Sequence, residues 1–409
     1  MNKSPHILYL SYDGMTDPLG ESQVLSYLRG LSERGYRFTL VSFEKQLRFQ
    51  SRRSHIQAIC DRHQIKWIPK PYSKRPPVFS TLFDLMKMRA VVTREMNGID
   101  MIHCRSYLPM LVALPIKRKF NVPVLFDMRG FWADERVEGK IWNLKNPIFS
   151  LIHKYFKRKE KVMLSDSEHI ISLTENGKET MLNEWGLSLS SDKISVIPCC
   201  AEFSHFQLTS DVLRKEGRNA LGLDDETNII CYLGSLGTWY LFEEMLDFFD
   251  CYLRKNDKSK FLIISRDERQ SVIEKINTYR PGLKSDIILY AADREELPKL
   301  LAASDWSLMF IKPSYSKRAS SPTKMGELLA MGVPLICNSG VGDVAKILYQ
   351  VNGGISIDEL NSSNMMEAID NMREFTVSPD AIRESAMQVL SLNRGVESYS
   401  NVYQGLLNK

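Results

Sequence analysis

The sequence predicts an α/β protein made of two domains, each a doubly wound parallel sheet, and three observations carry that reading. The 409 residues exceed what one ordinary core organises, so two domains are expected. Short β-branched or aliphatic runs alternate with longer helical patterns along nearly the whole chain, as in successive βαβ units. The alternation pauses once, in the polar segment 208–226, which separates two series of similar size.

The first series has strand candidates at 6–12, 38–43, 65–69, 101–104, 123–127, 169–174 and 194–198, with helices near 20–34, 79–96, 106–119, 147–165 and 175–185. The second has strands at 229–233, 260–265, 287–290, 306–311, 333–337 and 354–357, with helices between them. The domains are therefore drawn at 1–200 and 201–390, joined by a hinge, with a last helix in 391–409 that packs back on the first domain. Open parallel sheets bind ligands beyond the carboxyl ends of their strands, so the loops there are where chemistry is sought.

Composition narrows the class. With 44% hydrophobic and 25% charged residues, the chain can fill large cores and is not globally disordered. The seven cysteines (60, 104, 199, 200, 231, 251, 337) lack Cys-x-x-Cys spacing and fall mostly in apolar runs, which predicts buried reduced thiols without zinc or disulfides. The first apolar run meets Asp13 too early for a secretory signal, and no stretch approaches the roughly 18 apolar residues of a membrane span. A cytoplasmic protein, peripheral at the inner face of a membrane, is expected. Twelve Lys/Arg stand against Asp61 and Asp84 in 45–94, with Phe49, Trp67, Phe79 and Phe83 interleaved. That segment predicts an anionic membrane surface as partner, with a solvated basic face as the alternative and nucleic acid not expected.

The most specific motif is SSPTKMGELLAMGVPLIC at 320–337: a polar loop, a helix beginning near Pro322, a left-handed stop at Gly332 and a strand. Free N–H groups at 321, 323 and 324 and the helix dipole would hold phosphate, and Glu327, one turn on, would accept from ribose hydroxyls. The segment resembles the nucleotide-sugar site of the GT-B glycosyltransferases, especially glycosyltransferase family 4, whose members carry Glu, seven residues, Glu, and then a small-residue, Gly-x-Pro ending. Here Ala319 replaces the first Glu, so Lys317, Arg318, Ser320 and Ser321 are expected to handle the donor sugar and phosphate end. The run 229–240 resembles the first strand and glycine loop of the family's donor domain, with Gly234 and Ser235 at the loop but without the relatives' Arg and Lys. Arg266, Lys317, Arg318 and Lys324 are the replacements expected for diphosphate. The segment 293–305, which includes Arg294, resembles the helix beside the base pocket, and 193–206 resembles the interdomain passage.

In the first domain, 16–23 takes the place of the family's glycine-rich loop, with Gly20 and Glu21 as candidates to position the reacting groups. His103 occupies the place where the family often has a loop histidine, followed by Arg105. The cluster at 127–135 gathers Arg129, Trp132, Asp134 and Glu135, expected to serve acceptor recognition (Arg105, Arg129, Trp132) and catalysis (His103, Asp134, Glu135), with an internal salt-bridge knot as the alternative. No Asp-x-Asp follows a strand, so no metal is expected and no cofactor beyond the nucleotide-sugar substrate. The resemblance implies two Rossmann-like domains facing a cleft and transfer of a sugar from a nucleotide-diphosphate sugar, UDP-linked, to a glycan or lipid-linked hydroxyl in bacterial surface polysaccharide synthesis, with retention. A nucleotide-sugar epimerase and a non-catalytic sugar-binding protein are the rival readings.

Overall fold

The computed structural model describes residues 4–76 and 78–408. The chain divides into two compact units, residues 1–199 with 392–409, and residues 200–391.

The first unit is built on a seven-stranded parallel sheet: β1 His6–Ser11, β2 Arg37–Glu44, β3 Ile65–Pro71, β4 Met101–Arg105, β5 Val124–Asp127, β6 His169–Ser172 and β7 Ile194–Val196, in the order β3-β2-β1-β4-β5-β6-β7. The central strands are buried along their length because helices cover both faces, which is why they are continuous apolar runs in the sequence. Strand order reverses between β1 and β4, the switch point of a doubly wound sheet. Right-handed crossovers place the helices of the β3-to-β6 connections on one face, where Phe79–Glu95 packs on Tyr107–Phe120, which packs in turn on Pro147–Asp166. The last helix, Leu392–Leu407, packs on Ser26–Glu33.

The second unit repeats the scheme with β8 Asn228–Leu233, β9 Ser259–Ile264, β10 Ile287–Tyr290, β11 Trp306–Met309, β12 Leu335–Asn338 and β13 Gly354–Ile357, ordered β10-β9-β8-β11-β12-β13. Its switch point lies between β8 and β11.

Two segments differ from the sequence reading. The basic stretch after β2 contains a helix, Gln46–Arg62, that was not expected because only Ile56 and Cys60 of it are buried, too few for a visible apolar stripe. The polar pause at 208–226 is largely the helix Asp211–Leu221, whose Arg218 is fully buried and donates to the carbonyls of Asp224 and Thr227 and to Asp305. All seven cysteines are free, six of them buried. Among the described residues no helix is long and apolar enough to cross a membrane.

Candidate functional site

The loop after β8 and the segment after β11 are drawn together at the second unit's switch point. Tyr240 pairs with Ile311 in an antiparallel bridge, Lys312 N–H donates to the Trp239 carbonyl at 2.9 Å, and Leu241 N–H donates to Phe310 at 3.1 Å. This register lays the aromatic side of one loop against the cations of the other. Lys317 Nζ sits 3.8 Å from the centre of the Trp239 ring, and Lys324 Nζ lies 3.8 Å from that of Tyr240 and 4.6 Å from that of Tyr232. Both lysines are buried, and each is seated against an aromatic ring face, where the ring quadrupole attracts a cation.

Gly234 makes this approach possible. Its φ of +131° suits glycine, and a Cβ there would lie 2.6 Å from Lys324 Nζ. Burial pushes the Lys324 ammonium down to about 7, with Glu327 opposing the shift. The helix Thr323–Ala330 begins one residue later than expected, with Pro322 as an N-cap that supplies no side-chain hydrogen bond. Lys324 and Glu327, three apart, share one side of it. Burial raises the Glu327 carboxyl above its ordinary value against the pull of Arg294, whose Nη1 is 3.3 Å from Oε1. Arg294 also lies 5.3 Å from the Phe206 ring centre.

The other donor-side candidates fall into two groups. Ser235 is exposed on the loop after β8, and Ser320, Ser321 and Thr323 lead into the helix. The Ser320 N–H is already given to the Lys317 carbonyl, closing the turn Ser316–Ala319 that carries Lys317 and Arg318. Arg318 turns toward Tyr315, 5.4 Å from its ring centre. Arg266 departs from expectation: its Nε donates to the Ala292 carbonyl at 3.0 Å and its Nη2 to Asp293 at 2.6 Å, so it ties β9 to the loop after β10 and is not held toward Gly234. Tyr232, Trp239 and Tyr240 were missed by sequence reasoning. The signal for Trp239 and Tyr240 is the aromatic content of the loop after β8, legible only once the Tyr240–Ile311 bridge is known; Tyr232 lies in β8 itself.

In the first unit several candidates are structural. His103 stands inside β4, not in a loop: it is buried, its Nδ1 is 2.6 Å from the Tyr403 hydroxyl and its Nε2 is 3.5 Å from Asp127. Burial lowers its pKa, so it is a neutral core histidine under the helix Leu392–Leu407. Tyr399 of that helix donates to Asp127 at 3.1 Å. Arg129, at a φ of +59°, gives Nη2 to the Cys199 sulfur at 3.1 Å and faces Asp127 at 3.8 Å. Trp132 stacks on Tyr107 and packs edge-on against Trp142 and Phe156. Asp134 accepts from Lys157 at 2.7 Å and faces His153 at 3.3 Å. For Arg129, Trp132 and Asp134 the internal knot is therefore the better description, because their polar atoms and ring faces are committed inside the unit. Glu21 is corrected likewise, since Arg52 and His55 hold its two carboxylate oxygens at 2.5 and 3.0 Å.

Gly20 packs tightly: a Cβ would collide with the Gly14 carbonyl and lie 2.6 Å from Met15 Cα. The loop that it closes is organised by Glu44, which sequence reasoning overlooked; this buried carboxylate accepts from Met15 N–H, Thr16 N–H and Ser42. Arg105 ends β4 buried between two carboxylates, its Nε 3.6 Å from Asp13 and its Nη1 4.0 Å from Asp127. Glu135 is half-buried in the first turn of Trp132–Glu138.

Glu160 accepts from Tyr107 and pairs with Lys157 at 2.5 Å, and burial, outweighing that lysine, lifts its carboxyl to about 7. Its unfolded value is lower, so the stabilisation present below about pH 4.5 is lost as pH rises through 7. Glu160→Gln should match the wild type in thermal stability at about pH 4 and exceed it at about pH 8 by up to about 3 kcal/mol. Equal melting temperatures at both pH values would refute this.

Two family models cover most of the chain: Glycosyltransferase Family 4 over residues 20–204 and Glycosyl transferases group 1 over residues 214–388. The chain is a family 4-like glycosyltransferase of the GT-B fold. A glycosyltransferase from Rickettsia africae matches 100% of this glycosyltransferase and 99% of its own length, at 16% identity and a TM-score of 0.72. The Anabaena protein HepE, solved with UDP and glucose, matches 97% of this chain and 99% of its own at 14% identity and 0.69. Sucrose-phosphate synthase from Thermosynechococcus elongatus matches 99% of both chains at 13% identity and 0.70. No curated protein matches this glycosyltransferase by sequence.

Proposed function

We propose that the enzyme transfers a sugar from a UDP-sugar to a hydroxyl of a glycan or lipid-linked acceptor, with retention of configuration, in bacterial surface polysaccharide synthesis at the inner face of the membrane. One observation carries this reading: the two ring-seated lysines, 317 and 324, meet the helix Thr323–Ala330 at the switch point of the second unit. Diphosphate suits that arrangement, with Glu327 placed one turn further for the ribose and Arg294 fixing its carboxylate. The neighbour HepE was solved with UDP-glucose, which agrees with this donor class.

In the reaction, the bond between the anomeric carbon and the phosphate oxygen breaks and a bond to the acceptor oxygen forms. The hydroxyl proton passes to the departing phosphate. Lys324 and Lys317 stabilise the charge that develops there, a role filled elsewhere by metals, so no metal is called for. Arg105 and Glu135 are the acceptor-side residues proposed. Incubation with a panel of UDP-sugars, with and without membrane extract, tests the reading. Release of UDP that depends on extract and is accompanied by labelled glycolipid or glycan supports it, whereas an epimerised donor with no UDP release would replace it.

A further inference from the structure

The sequence located a basic surface at 45–94, and the fold divides that segment. Its first part, Gln46–Arg62, is tied down by acids from outside the segment: Lys45 and Arg48 bind Asp17, and Arg52 binds Glu21. Lys66 and Arg94 share Glu95. The local excess of charge is thus largely cancelled on that side.

The other face of the sheet is different. The three adjoining helices Phe79–Glu95, Tyr107–Phe120 and Pro147–Asp166 carry eleven Lys/Arg and four carboxylates. All four carboxylates have cationic partners: Asp84 with Lys87, Glu95 with Lys66, Glu160 with Lys157 and Asp166 with Arg118. Two of these helices also hold apolar side chains out to solvent at helical spacing. Phe79, Leu82, Phe83 and Met86 line one, with Phe79 at 71% and Met86 at 68% exposure. Ile148, Leu151, Tyr155 and Val162 line the other, with Leu151 at 70%. Two lysines lie over exposed aromatic rings of this layer, Lys119 over Phe120 and Lys159 over Tyr155, while Lys87, over Phe83, is held by Asp84. An apolar tip beside an ammonium suits the boundary between acyl chains and headgroups.

The geometry points to this three-helix layer as the surface that docks on an anionic lipid bilayer, with the Phe79–Met86 and Ile148–Val162 stripes inserted and the lysines at the headgroups. Charge complementarity selects the occupant, because a second copy of this face would bring like charges together, whereas anionic lipid neutralises them. The inference rests on the lipid-linked acceptor reading for its purpose, and of the basic segment 45–94 it keeps only the Phe79–Glu95 part, joined to two helices from outside that segment.

Sedimentation with vesicles of phosphatidylcholine alone, and of phosphatidylcholine mixed with phosphatidylglycerol, tests it. The wild type should bind the anionic vesicles at low salt. Phe79→Ser with Met86→Ser, and separately Ile148→Ser with Leu151→Ser, should each weaken binding about tenfold or more, because buried apolar area sets interfacial affinity. The control Leu47→Ser with Arg53→Ser, on Gln46–Arg62, should not. No binding by the wild type, an equal loss in the control, or self-association that the stripe variants abolish in the absence of vesicle binding would each overturn the proposal. UDP binding measured on the same samples separates the cases, since retained UDP binding without vesicle binding refutes the docking surface alone.

Discussion

Replacing Lys324 by Met is expected to slow sugar transfer by about 100-fold, the scale of removing one preorganised donor from a developing oxyanion. The same change should remove a pH dependence. With its ammonium pushed down to about 7, Lys324 is substantially neutral above neutrality in the free protein, and a bound diphosphate would draw the proton back. UDP affinity should therefore fall as pH rises above 7, and binding should take up a proton, visible in calorimetry in buffers of different ionisation enthalpy. The second ionisation of a phosphate lies near about 6, so the nucleotide itself contributes little in that window.

Stability separates this role from simple packing. The folded value of Lys324 lies below its unfolded 10.5, so stability is lost as pH falls from about 10.5 towards 7. Lys324→Met should consequently raise the melting temperature at neutral pH while turnover collapses. A variant that is both less stable and unchanged in its pH profile would mean that the lysine only fills space between Tyr232 and Tyr240.

The second large effect is expected at Glu327. Glu327→Ala should weaken UDP binding by about tenfold or more, the loss of a buried charge-assisted hydrogen bond of about 1.5–3 kcal/mol, yet leave inorganic diphosphate nearly unaffected. Titration of both ligands against wild type and variant gives the comparison. Matched losses would move Glu327 from the ribose to the phosphate end or to a purely structural pairing with Arg294.

Much of the fold was legible because both faces of each sheet are covered. Strands such as Leu8–Leu10 or Ile229–Leu233 had to be apolar throughout, and such runs are hard to mistake when helices alternate with them. What escaped was whatever depends on distant partners. Gln46–Arg62 carries little apolar pattern, and its charges are answered by Asp17 and Glu21, at the start of the helical segment after β1. The start of Thr323–Ala330 could be read from Pro322, Glu327 and Gly332, since local chemistry alone sets a helix end. The seats of its neighbouring cations could not, because Trp239 and Tyr240 lie about eighty positions upstream and reach Lys317 and Lys324 only through strand pairing after β11. His103 shows the opposite error: the sequence reading gives a polar residue near a strand end a loop role, although Tyr403, three hundred positions later, holds its Nδ1 in the core.

Diphosphate should lie between the two ring-seated lysines and the opening of Thr323–Ala330. A crystal structure with UDP bound decides this. Phosphate oxygens should lie within hydrogen-bond reach of Lys324 Nζ and the ribose hydroxyls at Glu327, with Lys317 still over Trp239. UDP bound in the second unit with its phosphates at Arg266, away from both lysines, would contradict it.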